Sequence, residues 1–87
     1  MQDQTNQISR ERDRRLERAI VSQTLRDDRE QGWRRSELAQ ELADADPVAI
    51  RDALSRLQED GVVEFAGETV RASRAAKRLN ELGTIAI

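Results

Sequence analysis

The side chains in this sequence with most capacity for chemistry are arginines. Arg10, Arg12, Arg14, Arg15 and Arg18 crowd one stretch, interleaved with Glu11, Asp13 and Glu17, and Arg34-Arg35 stands directly before Ser36. A guanidinium carries a permanent charge and a fork of donors that fits phosphate or carboxylate oxygens. The chain has no Cys and no His. That removes structural zinc, most catalytic zinc and the usual nucleophile-base pairs, leaving hydroxyls, carboxylates and guanidiniums for any catalysis. An enzyme is therefore not expected, nor is a metal or other cofactor. With one Trp, one Phe and no Tyr, a ligand pocket would have few stacking groups to work with.

These groups must be positioned by a small domain. Eighty-seven residues support one core and leave too few apolar residues to close a second. No apolar run reaches the ~20 residues of a membrane span, and no charged start leads into an apolar export segment, so a cytoplasmic location is expected. The net charge of −2 gives no general attraction to nucleic acid, so any such binding must come from local charge.

The best-specified stretch runs from Asp46 to Arg71. Asp46 is a helix cap and Pro47 has no amide to leave unpaired at the first helical position. Ile50, Ala53, Leu54 and Leu57 then fall at i, i+3, i+4 and i+7, one apolar stripe. Gly61 is the stop, and Ala66-Gly67-Glu68 turns Val62–Phe65 back onto Thr69–Ala72 as a hairpin.

Residues 1–8 are almost wholly polar and read as a disordered tail, with a single domain over 9–87. Ser9 caps a first helix from about Arg10 to Asp28, with Leu16, Ile20, Val21 and Leu25 as its apolar positions. In its first turns carboxylates and guanidiniums are spaced to pair at i, i+3 and i+4. The plain reading of these turns is a solvated helix extension. The sharper one is a basic arm for phosphate or an acidic partner. Gly32 stops the charged link that follows, and Trp33-Arg34 is a minimal strand with Trp33 packed over the core edge. Ser36 reads as the cap of a second helix through Ala43. Ser73 caps a last helix to about Leu82, where Ala75, Ala76, Leu79 and Leu82 form a stripe and Gly83 ends it. The apolar Thr84-Ile85-Ala86-Ile87 is expected to lie on the first helix or on a symmetric partner.

Ser36-Glu37-Leu38-Ala39-Gln40-Glu41-Leu42 and Val48 to Val63, with Ile50, Leu54, Leu57, Gly61 and Val63 in register, resemble the winged helix-turn-helix regulators of bacteria and archaea. The resemblance spans about Leu16 to Leu82. It implies a mainly α fold with a small β-hairpin, in the order α1-β1-α2-α3-β2-β3-α4. It also implies a DNA-binding transcriptional regulator that acts as a dimer, with the third helix in the major groove; the apolar chain end makes the first and last helices the candidate homodimer contact. Carried over residue by residue, Val48 and Ala49 meet a thymine methyl, Ser55 a phosphate or base edge, and Arg56 a phosphate or guanine. Arg34, Arg35, Ser36 and Arg71 complete the set, with Arg34 and Arg35 as the best phosphate contacts.

Charge opposes that assignment. Gly32 to Ala72 holds five basic residues against nine acidic ones, Asp52 lies within the supposed reading face, and the hairpin tip carries Glu68. DNA affinity draws heavily on phosphate neutralisation. The alternative is a winged-helix module that docks another protein without binding DNA, since winged helices serve several functions.

Overall fold

The computed structural model describes residues 2–83, with side chains described from residue 10. Its elements are α1 (Gln2–Arg26), β1 (Trp33–Arg34), α2 (Arg35–Glu41), α3 (Pro47–Glu59), β2 (Val63–Ala66), β3 (Thr69–Ala72) and α4 (Arg74–Glu81). The order is the expected one, mainly helical with a small antiparallel sheet, and is compatible with a winged-helix topology. No helix among the described residues is long and apolar enough to cross a membrane.

Local chemistry sets α3 and the hairpin. Asp46 Oδ1 accepts from the Val48 amide at 3.1 Å, and Pro47 occupies the first helical position. Ile50, Ala53, Leu54 and Leu57 are all buried. At the far end Gly61 has φ +76°, its amide donates to Gln58 O, and the Val62 amide donates to Leu57 O at 2.9 Å. These two bonds satisfy carbonyls that a helix end leaves open. They also commit Val62 to the helix stop, so β2 starts at Val63, one residue later than expected. The chain then turns through Gly67-Glu68, and only Gly67 has positive φ, which is the pattern of a type II′ hairpin.

β3 is the central strand, flanked by β1 and β2. Trp33 and Phe65 both stand opposite Val70, and the sheet lays Val63, Val70 and Trp33 against Ile20, Leu38, Ile50, Leu54 and Leu57. Each large side chain withdrawn from water there contributes about 1.5–3 kcal/mol. A smaller cluster of Leu25, Ala72 and Ala76 joins α1 to α4.

Four helix ends differ from expectation. α1 begins at Gln2, so residues 2–8, expected as a tail, continue the helix and Ser9 does not cap it. That stretch contains neither Gly nor Pro and is rich in Gln, so nothing in it stops a helix already nucleated beyond it. α1 also stops at Arg26, before Asp28. α2 begins at Arg35 with Arg34 at its cap position, which places Ser36 inside the first turn, and it ends at Glu41, short of Ala43.

α4 has the expected bounds. Ser73 Oγ accepts from the Ala76 amide at 3.1 Å, and Gly83 follows with φ +74°. Its stripe is another matter. Ala76 alone of the four is buried; Ala75 is exposed, as are Leu79 at 45% and Leu82 at 60%. Amphipathic spacing defines a face but not what covers it, and the cluster with Leu25 and Ala72 reaches only one edge of this one. Thr84–Ile87 lies outside the described residues.

Candidate functional site

The start of α2 is held by a group of side chains centred on Arg29. Trp33 is buried, and its Nε1 donates to Asp27 O at 2.8 Å. The Arg29 guanidinium stacks 3.6 Å from the centre of the Trp33 ring. Its Nη1 donates to Glu37 Oε2 at 2.7 Å and its Nε to Asp27 Oδ2 at 3.1 Å. The other oxygen of Glu37 accepts from the Arg34 amide at 2.9 Å. One carboxylate thus ties the link to the first turn of α2, and this is why Arg34 rather than Ser36 stands at the cap. The Arg34 amide bond, followed by the Arg29 bond, holds the Glu37 carboxyl below the usual range. Gly32 makes the approach possible: it has φ +81°, and a Cβ there would lie 2.9 Å from Val70 O.

Beyond this anchor Arg34, Arg35 and Ser36 are exposed, and among the described residues neither arginine makes an ion pair. The Arg35 guanidinium lies 4.9 Å from the centre of the Phe65 ring on β2. With Gly67 and Glu68 these three residues line an open recess beside the hairpin tip. Two guanidiniums, a hydroxyl and a turn are therefore gathered from separate elements, with Glu68 as the one carboxylate on the rim. This arrangement suits an anion such as a phosphate diester and has no group placed for covalent chemistry.

On α3, Val48 is 51% exposed and shares the open face with Asp52, Ser55 and Glu59, while Ala49 is half-buried at its edge. Arg51 stands 3.6 Å from Asp52. Arg56 does not serve this face. Its Nε donates to Glu17 Oε1 at 3.1 Å, and its Nη2 lies 3.8 Å from Asp13 Oδ1 with no hydrogen-bond partner. Three residues on from the buried Ala53, it falls on the flank that α1 covers. Arg71 is also engaged, pairing at 3.3 Å with Glu64, its register partner on β2.

Of the eight residues expected at the site, Arg34, Arg35 and Ser36 come together, Val48, Ala49 and Ser55 share α3, and Arg56 and Arg71 are taken up by acids. Arg29 was not expected among the positioning residues, because its contacts cross a non-helical link whose spacing gives no signal. The acids of α1 also point elsewhere than expected. Asp13 and Glu17 turn to Arg56, and no ion pair joins two residues of α1 among the described residues. Among those residues, no group of three His, Cys, Asp or Glu is placed to hold a metal ion. Compared with known proteins, the chain matches no family model, no curated protein and no solved structure.

Proposed function

We propose that this chain is a DNA-binding regulator of the winged helix-turn-helix kind. Arg34, Arg35 and Ser36 engage backbone phosphates, and the exposed face of α3 meets base edges through Val48, Ala49 and Ser55. The observation that carries the reading is the placement of two guanidiniums without an acidic partner among the described residues at the start of α2, beside the hairpin tip. Phosphate contacts of this kind fix register, and α3 does the reading. Homodimerisation through α1 and α4 would present two copies of α3 to half-sites about 34 Å apart.

The test is fluorescence anisotropy with duplex DNA over a salt series. Arg34→Gln with Arg35→Gln should weaken binding to all duplexes alike and lower the salt slope by about 1.8, at about 0.9 for each phosphate no longer neutralised. Unchanged affinity in that variant sinks the assignment.

A second reading is favoured by one observation: Asp52 and Glu59 are exposed on α3 while Arg56 is occupied by Glu17. Such a face suits a basic protein partner. Asp52→Asn with Glu59→Gln separates the two readings, because it strengthens DNA binding on the first and weakens partner docking on the second.

A further inference from the structure

The middle of α1, residues 10–18, carries five arginines against three acids. Arg10, Arg12, Arg14, Arg15 and Arg18 are all exposed, and none makes an ion pair among the described residues. Their sequence neighbours Asp13 and Glu17, which would otherwise neutralise them, are drawn inward to Arg56. The fold therefore sorts most of the charges of this stretch, with Asp13 and Glu17 toward α3 and the guanidiniums, together with Glu11, toward solvent. The exchange has a second side: as Arg56 is withdrawn from the open face of α3, α1 is left with an excess of positive charge.

The location of that excess matters as much as its size. Arg12 lines one recess with Asp13, Asp44, Asp46 and Ala49, at the N-terminal end of α3, and with Arg15 it borders a second recess, shared with Glu41 and Asp44, against the turn between α2 and α3. In a helix-turn-helix complex the N-terminal end of the recognition helix is the end that meets the bases, so phosphates of the flanking strand lie beside it. Guanidiniums bind phosphate by paired donors, and successive α1 residues four apart rise about 6 Å, a stride that lets several side chains follow one backbone.

We infer that the arginine-bearing middle of α1 is a phosphate-binding arm, centred on Arg12 and Arg15, that grips the duplex backbone beside the N-terminal end of α3. It provides the sequence-independent attraction that the acidic α3 face and hairpin lack. This assignment rests on the DNA-binding reading above, and the experiment separates the two.

The full chain, its Arg12→Gln/Arg15→Gln variant and its Arg12→Lys/Arg15→Lys variant are titrated onto a mixed-sequence DNA duplex across a salt series. Polyglutamate of matched charge is run as competitor. Gln and Lys keep helix propensity, and circular dichroism checks that each variant is folded. The Gln variant should lower the salt slope by about 1.8 and the Lys variant should hold it near the parent value. A parent that binds with a slope the Gln variant leaves unchanged overturns the arm and spares the DNA-binding reading. A parent that binds no duplex overturns both. Polyglutamate displacing the parent as well as duplex does assigns the arm to an acidic protein and overturns it as a DNA contact.

Discussion

Gly32→Ala is the substitution whose effect follows most directly from the geometry. Gly32 is buried between the link and β3 with φ +81°, a backbone conformation that costs a residue with a Cβ about 1–2 kcal/mol. An added Cβ would also stand 2.9 Å from Val70 O and 3.3 Å from Thr69 Cβ. Neither neighbour is a flexible side-chain end. Val70 is the residue against which Trp33 and Phe65 both pair, so relief by moving it disturbs the whole sheet. Overpacking of this kind costs about 1–3 kcal/mol more. The total, about 2–5 kcal/mol, is a large share of the ~5–15 kcal/mol that holds a typical domain folded. It corresponds to a fall in Tm of roughly 10 °C or more for a chain of this size. Gly61→Ala is the control, because Gly61 has φ +76° with nothing within 4 Å of its would-be Cβ, and only the first cost applies. Urea unfolding of the parent and both variants gives the comparison. If Gly32→Ala is no more destabilising than Gly61→Ala, the close packing of the link on β3 is wrong.

Other expectations follow from single contacts. The Glu37 carboxyl is held below its usual range in the folded chain, so its contribution to stability is present above the unfolded pKa and is lost as pH falls through the folded one. Glu37→Gln should flatten the acid limb of a stability-pH curve, and an unchanged limb would count against the bond to Arg34. A double-mutant cycle on Glu17 and Arg56 should give a coupling of about 0.5–1 kcal/mol, modest because water still screens both groups. Zero coupling would mean that Arg56 is not held by α1. Leu82→Ser should change monomer stability by about 0.5 kcal/mol and Leu79→Ser by about 1 kcal/mol, well short of the loss at a buried leucine, since much of both side chains is already in water. A large loss at high dilution would show that α4 is covered within the chain.

Features that depend on neighbours in sequence were legible. Asp46, Pro47, Gly61 and Ser73 set element ends by bonds and backbone angles spanning a few residues, and the stripe of α3 went to the core as spacing implied. The shift of β2 by one residue came from Val62 closing the helix, a competition between two local uses of one amide. Features that depend on neighbours in space were not legible. Glu37 displaced Ser36 as the organiser of the α2 start because it meets both the Arg34 amide and Arg29. The resemblance places Arg56 against phosphate or guanine, and nothing in the spacing of α3 signals the presence of Glu17 beside it. The same holds for α4, where periodicity described an apolar face and said nothing of its exposure. In the candidate site, Arg34 and Arg35 were legible as cations, and their union with the hairpin tip emerged only with the fold.

The central proposal is that duplex DNA is bound by the exposed face of α3 together with the α2 start, the hairpin tip and the arginine-bearing middle of α1. Amide chemical-shift mapping of the full chain on addition of a mixed-sequence duplex at low salt tests it directly. The account predicts shifts at Arg12, Arg15, Arg34, Arg35 and Gly67, with Lys77 and Arg78 on α4 unmoved. Shifts confined to α4, or none at micromolar protein and excess duplex, would contradict it.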